Sequence, residues 1–140
     1  MIITESNLRY KIRDAIKSAA QKKLQVRVNS LPLNVEVADT DGLRDIGLMN
    51  RRSLQRDSGM LFVFPDSDVR AFWMKNTHIP LSIAYLDESG VILNIEKMTP
   101  LNGDRIWSKG RAMYALEVND GWFDINEISE GDIVRNLPKI

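Results

Sequence analysis

The chain contains no cysteine among its 140 residues, and His78 is its single histidine. The lack of cysteine excludes disulfide bonds, thiolate metal sites and a cysteine nucleophile. His78 precedes Ile79 and Pro80 in a predicted turn, which favours a structural or surface side chain over a general base. The sequence also lacks the serine-hydrolase elbow, the phosphate-binding loop and the zinc-protease helix motif. We therefore favour a protein that is not an enzyme.

Long apolar runs are lacking as well. A membrane helix needs about 18 consecutive apolar residues, and no such run occurs. The first 25 residues contain no uninterrupted apolar segment of the kind found in signal peptides. We expect a soluble, unexported chain that does not contact a membrane. Its length and its 44% hydrophobic content fit one domain with a conventional core.

The whole chain has no excess of charge of one sign, but its N-terminal part and the remainder each have one. Residues 1–27 carry seven basic against two acidic side chains, a net +5, and the remainder carries 12 basic against 17 acidic, a net −5. Apolar residues recur every three or four positions over residues 6–22, which predicts an amphipathic basic helix that begins at Ser6 or Asn7. We expect this helix to bind a protein partner or a second copy of the chain. Nucleic-acid binding is not favoured, because Tyr10 is the only aromatic residue of the helix.

Beyond residue 24 the pattern is that of strands, and we assign residues 25–140 to one domain after an N-terminal helical segment, residues 1–24. The predicted strands cover 25–29, 33–38, 60–64, 70–77, 81–86, 91–98, 113–118 and 133–136, with short helices at 43–49 and 122–128. We place a turn at 65–68 and a long loop at 99–111, where Trp107 either pins the loop to the core or lines a site. The first role of Trp107 is favoured. The pattern predicts a mainly β fold, an antiparallel sandwich or barrel.

Six short runs have a recognisable character: Gly47-Leu48-Met49 followed by Arg51 or Arg52, Gly59-Met60-Leu61-Phe62, Phe72-Trp73-Met74-Lys75-Asn76-Thr77, Ile79-Pro80-Leu81, Leu116-Glu117-Val118 and Gly131-Asp132. Together they resemble the domain of unknown function 192 family from about Val26 to Val134. The resemblance implies a compact, jelly-roll-like β-sandwich with one or two short helices, and it implies no established activity. Family members often resemble exported or lipid-anchored bacterial proteins. This chain has the basic helix instead of an export signal, which suggests the bacterial cytoplasm or a bacteriophage particle.

The candidate site lies in the run 72–77. Strand alternation predicts that Trp73, Lys75 and Thr77 share one face, with Asn76 at the end of the strand. An aromatic ring beside a cation and a hydroxyl can bind a carboxylate, a phosphate or a sugar. In the alternative, purely structural interpretation, Asn76 and Thr77 hydrogen-bond a bulged backbone.

Two acidic residues complete the candidate set. Asp39 ends one predicted strand, and Glu117 lies near the end of another. If both converge on Lys75, they form a charged cluster of the kind that perturbs pKa values at functional sites. The structural alternative is that Lys75 simply forms an ion pair with one of them.

Three functions remain open. The first is a non-enzymatic binding module that recognises a small polar ligand, a glycan or a polymer end around Trp73, Lys75 and Asn76. The second is a structural or assembly protein, docked through residues 6–22, as in a phage particle. The third is an acid-base enzyme that uses Lys75 with Asp39 and Glu117. No cofactor is expected. No metal site is expected either, because the acidic residues of 120–132 lack the spacing of a calcium loop.

Overall fold

The computed structural model describes residues 22–140. The basic helix predicted for residues 6–22 therefore lies outside the described residues, except for Lys22, where the first strand begins. The described part contains two short helices, α1 (Asp41–Ile46) and α2 (Trp122–Ile125). Its strands are β1 (Lys22–Val28), β2 (Leu31–Ala38), β3 (Ser58–Phe72), β4 (Leu81–Leu86), β5 (Ile92–Met98), β6 (Ile106–Asn119) and β7 (Val134–Arg135). The mainly β fold predicted from the sequence is confirmed.

The strands of the described residues form one hydrogen-bonded sheet in the order β5-β4-β6-β3-β2-β1-β7. Neighbouring strands are antiparallel except β2 and β3, which run parallel with Asn34 opposite Ser58 and Ala38 opposite Phe62. A parallel pair needs a crossover connection, and the segment that contains α1 supplies it. The predicted antiparallel arrangement thus holds for every neighbouring pair of the described strands except β2 and β3, and the sheet is mixed. The jelly-roll-like sandwich is not confirmed, because one mixed sheet contains all these strands.

The turn predicted at residues 65–68 is also wrong, because β3 runs through it. Val63 lies opposite Tyr114 and Asp68 lies opposite Ala112, so the turn residues form a bulge in β3 against a shorter stretch of β6. Arg70 fixes the bulge by donating hydrogen bonds to the backbone oxygen and the carboxylate of Asp66. Pairing with β6 thus outweighs the local turn preference.

Strand β6, which pairs with β3, also begins earlier than the sequence predicts. β6 starts at Ile106, within the predicted loop, and Trp107 lies opposite Ala71 of β3. The Trp107 side chain is 53% exposed. The prediction that Trp107 pins a loop to the core is wrong, because strand pairing directs its ring outwards.

The core consists of two hydrophobic clusters, and β6 contributes to both. Tyr114, Leu116 and Val118 belong to the first cluster, together with the aromatic residues of α2. Ala112 and Ala115 belong to the second, which also contains Leu43 of α1. Because side chains alternate along a strand, Glu117 has to point to the same side as Ala115. An ionisable residue therefore lies on the side of the second cluster.

Gly59 allows β3 and β6 to approach closely, and it gives a direct test of this pairing. A Cβ atom built on Gly59 lies 2.6 Å from the backbone oxygen of Glu117. We expect Gly59→Ala to lower the free energy of unfolding by roughly 1–3 kcal/mol, since a backbone oxygen cannot move aside as a side chain can. Chemical denaturation measures this change. Gly103→Ala is the matched control, because no atom lies within 4 Å of its added Cβ. Equal effects of the two substitutions would contradict the close approach.

Candidate functional site

A pocket of about 220 Å³ opens on the side of the second cluster, and we call it the aromatic pocket. It is built from three parts of the chain that are distant in sequence. Its lining consists of residues 44–49 from α1 and the turn after it, Phe62, Phe64, Ala71 and Phe72 from β3, Trp73 and Thr77 from the turn after β3, and Glu117 from β6.

Helix α1 is delimited by a cap at its start and a glycine at its end. At its start, the Thr40 hydroxyl accepts a hydrogen bond from the backbone N–H of Leu43, at 3.2 Å, which caps the helix. At its end, Gly47 has a φ of 50°, and a Cβ atom there would lie 3.2 Å from the ring of Phe62. Glycine at this position lets the chain turn directly over that ring. The turn brings residues 47–49 to the pocket.

Arg44 is the cation of the pocket wall, and the surrounding groups hold it in place. Its guanidinium donates a hydrogen bond of 2.7 Å to the Val63 backbone oxygen and another of 2.7 Å to the Asp41 carboxylate. The guanidinium carbon also lies 5.2 Å from the centre of the Phe64 ring. Because its charge is paired and stacked, Arg44 acts as a fixed part of the wall.

The aromatic rings of the wall pack edge to face. The ring centres are 4.8 Å apart for Phe62 and Phe72, 6.3 Å for Phe64 and Phe72, and 5.8 Å for Phe72 and Tyr85. Such pairs add roughly 0.5–1.5 kcal/mol each beyond the area that they bury. The pocket wall is therefore already formed without a ligand.

Glu117 is the buried acid of the pocket. It lies opposite Met60 of β3 and Ile83 of β4, and the residue is only 5% exposed. Among the described residues, no hydrogen bond or ion pair reaches its carboxyl group. Burial raises the pKa of Glu117 to about 8, because a low-dielectric environment disfavours the charged form. The carboxyl is thus mainly protonated at neutral pH.

Tyr85 lies on the same side of the sheet, opposite Ala115 of β6. Its hydroxyl donates a hydrogen bond of 2.5 Å to the backbone oxygen of Ile106. Burial raises the pKa of Tyr85 strongly, and the negative charge of Glu117 adds to the effect. Tyr85 therefore stays protonated and is already engaged with the backbone.

The run 73–77 forms a turn, and the strand face predicted for it does not exist because β3 ends at Phe72. The Thr77 hydroxyl donates to the Lys75 backbone oxygen at 3.1 Å, and the Thr77 N–H donates to the Met74 oxygen at 3.1 Å. Asn76 has a φ of 54°, a left-handed conformation that asparagine tolerates better than most residues. These bonds close the turn and direct Thr77 inwards, where it is 6% exposed.

Three of the six residues proposed from the sequence meet in the aromatic pocket. Trp73, Thr77 and Glu117 line it together. Lys75 lies beside it, with its ammonium nitrogen 5.3 Å from the centre of the Trp73 ring. Asn76 is exposed at the turn, where its backbone oxygen accepts a hydrogen bond from the N–H of Asn50.

Asp39 is not among the residues that line the pocket. Its carboxylate accepts a hydrogen bond of 3.0 Å from the Lys22 ammonium group. Within residues 22–140, no ion pair joins any two of Lys75, Asp39 and Glu117. The predicted convergence of both acids on Lys75 is therefore wrong, as is the structural alternative in which Lys75 pairs with one of them. Because the strand ends before Lys75, this side chain is free to lie on Trp73.

Sequence reasoning did not assign Arg44 or the phenylalanine rings of the wall to the site. The signal that could have found most of them was the set of runs that carries the family resemblance. The runs 47–49, 59–62, 72–77 and 116–118 each supply at least one lining residue. Nothing in the sequence marks Arg44, because its role depends on the position of α1 against β3.

A larger cavity of about 590 Å³ lies over β1 and β2, and the acid that lines it is already paired. Arg51 forms an ion pair with Glu36 there, and Arg51 Nε has no hydrogen-bond partner among the described residues. The side chains of this pair are 17% and 18% exposed. The aromatic pocket differs from this cavity because its acid is almost fully buried and unpaired.

No group of three histidine, aspartate or glutamate side chains in the described part of the chain is arranged to hold a metal ion. Within residues 22–140, no helix has the length and apolar character needed to cross a membrane.

The fold and the pocket define a mainly β domain in which a buried acid faces an aromatic wall. This chain belongs to the DUF192 family, described as Uncharacterized ACR, whose pattern matches residues 24–136. The family resemblance predicted from the short runs is thereby confirmed. No curated protein matches the chain.

Two crystal structures are similar to this one. A candidate transcription regulator from Sinorhizobium meliloti is 33% identical, with a TM-score of 0.76 over 83% of this chain and 93% of its own. A protein of unknown function from Novosphingobium aromaticivorans is 29% identical, with a TM-score of 0.77 over 86% of this chain and 96% of its own. Both similarities extend over nearly all of the described domain.

The buried acid predicts a pH-dependent stability. The folded-state pKa of about 8 lies above the ordinary value of 4.5, so the folded state holds the proton more tightly than the unfolded state. Stability is therefore fully present below pH 4.5 and is lost as the pH rises to about 8. We expect Glu117→Gln, which cannot ionise, to gain stability relative to wild type across this range, by at most about 1.4 kcal/mol per pH unit.

Thermal and urea denaturation at pH 5, 6.5 and 8 measure this difference. Glu88→Gln is the matched control, because Glu88 is exposed in the β4–β5 turn. We expect its difference from wild type to stay constant with pH. A constant difference for Glu117→Gln as well would show that Glu117 does not hold a proton in the folded protein.

Proposed function

We propose that this protein is a non-enzymatic binding module that holds a small polar ligand, or the end of a polymer, in the aromatic pocket. The observation that carries the proposal is the Glu117 carboxyl, which is buried, lines a cavity and has no partner among the described residues. A carboxyl group in so buried a position is poorly hydrated, which disfavours its charged form. A ligand that bonds to Glu117 would offset this effect.

The size and walls of the pocket support a small ligand. Its volume of about 220 Å³ is below the roughly 300–1,000 Å³ of sites for drug-sized molecules. The edge-to-face packing of Phe62 and Phe72 fixes one apolar surface in advance. A preformed wall lowers the entropy lost on binding. The pocket therefore suits one compact group with an apolar body and a polar end.

The charged residues favour binding over acid-base catalysis. A catalytic acid-base pair requires a second titratable group within reach of the same substrate atom. Asp39 is engaged with Lys22, and Lys75 lies over Trp73. The enzyme alternative thus lacks its proposed partners for Glu117. The assembly alternative depends on residues 6–22, which lie outside the described residues, and it stays a prediction.

Two exposed tryptophans allow a matched test of the binding proposal. Trp73 is 46% exposed and lines the aromatic pocket, whereas Trp107 is 53% exposed and does not line it. We expect small polar fragments, screened by protein-observed NMR, to shift signals of the pocket residues. We expect Trp73→Ala to weaken the binding of these fragments by about tenfold, equivalent to ~1.4 kcal/mol, and Trp107→Ala to leave it unchanged.

The proposal is wrong if a broad fragment panel produces no shifts at the pocket, or if the shifts that do occur lie elsewhere. It is also wrong if the two alanine substitutions weaken binding equally. Both side chains are substantially exposed, so we expect both variants to fold, and their amide spectra provide the check.

A further inference from the structure

We infer that the group bound at Glu117 is a small organic ammonium, held between the ionised carboxylate and the aromatic wall. This inference rests on the binding function proposed above and specifies the chemistry of the ligand. Glu117 is 5% exposed, lines the cavity, and its carboxyl group has no partner from the described residues. It is therefore the polar group to which a ligand has to be complementary.

The wall around Glu117 has the chemistry that attracts a cation. Aromatic faces carry partial negative charge and attract a desolvated cation. Phe62, Phe72 and Trp73 all line the pocket. The rim already shows this contact, because the Lys75 ammonium nitrogen lies 5.3 Å from the centre of the Trp73 ring. An ammonium ligand would pair with the carboxylate and contact Phe62 and Phe72, while Lys75 already lies over the Trp73 ring.

The other charged groups near Glu117 leave room for a cationic ligand. On the wall, Arg44 is paired with Asp41. Arg70, whose guanidinium carbon lies 3.9 Å from the centre of the Phe64 ring, is paired with Asp66. Lys75 lies at the rim over Trp73. Asp45 also lines the pocket and adds a negative charge at its exposed side. On the sheet, Tyr85 of β4 is uncharged, and Glu96 of β5 lies opposite Ile83, in the same row as Glu117.

The proton balance of binding follows from the buried acid. The empty pocket holds Glu117 mainly protonated at neutral pH, because burial raises the pKa of Glu117 to about 8. Binding of an ammonium ion then releases the carboxyl proton to solvent and leaves a carboxylate–ammonium pair. Only the ionised fraction of the protein is competent to bind, so the apparent affinity should rise with pH and level off above about pH 8.

Choline and its neutral isostere 3,3-dimethylbutan-1-ol are the probes for this inference. The two differ in one atom at the centre of the bulky group, and the charge of choline does not titrate. We expect choline to shift the NMR signals of Thr77 and of the Trp73 indole in the full chain. We expect its affinity to rise by up to about 50-fold between pH 6 and pH 8. The isostere should bind more weakly, with no such rise.

Glu117→Gln separates charge from shape in the same titration. We expect this variant to bind choline no more tightly than the isostere, with no dependence on pH. Glu88→Gln is the matched control and should reproduce the wild-type titration. If Glu117→Gln does not fold, the pH dependence of wild type with the two probes remains a complete test.

The outcomes distinguish this inference from the binding function on which it rests. Equal affinity of the two probes overturns the ammonium inference, and so does choline binding that weakens as the pH rises. In either case the protonated Glu117 carboxyl would be the binding form, donating a hydrogen bond to a neutral acceptor on the ligand. The inference is also overturned if neither probe binds while other fragments do. If no fragment of any class binds in the pocket, both the inference and the proposed function are wrong.

Discussion

The pairing of β3 with β6 is the interaction on which the rest of this structure depends. It runs from Gly59 opposite Val118 to Phe72 opposite Ile106, at the centre of the sheet. β2 is attached to the outer side of β3, and β4 is attached to the outer side of β6. Since the register fixes which side chains share a face, it also places Glu117 beside the aromatic residues of β3. A shift of one residue would move Glu117 into the first cluster and dismantle the pocket.

The parts of the fold that the sequence predicts well are those decided by local chemistry. The strands predicted at 81–86 and 91–98 form a hairpin as β4 and β5, and in its turn Asp87 accepts hydrogen bonds from the N–H groups of Ser89 and Val91. Both strands lie within one residue of the predicted bounds. Turn chemistry and alternation suffice here because all the interacting residues are close in sequence.

The parts that the sequence does not predict are those decided by distant partners. Pro65 and its polar neighbours read as a turn, yet pairing with β6 keeps them within one strand. Strand preferences are easily overridden by such tertiary context. The site shows the same division. The sequence indicated Trp73, Thr77 and Glu117, but their meeting point depends on where β3 ends and on how α1 crosses it. Neither of these features leaves a signal in the residues themselves.

Glu117 also explains why stability and binding should be coupled in this protein. A hydrophobic residue between Met60 and Ile83 would fill the second cluster without the desolvation that an acid imposes. Functional sites are the places where a fold retains such a residue at a cost in stability. The ionised form of Glu117 destabilises the empty protein, and it is also the form that an ammonium ligand requires. A ligand of this kind therefore stabilises the fold most at the pH values where the empty protein is least stable, since binding replaces the missing partner of the carboxylate.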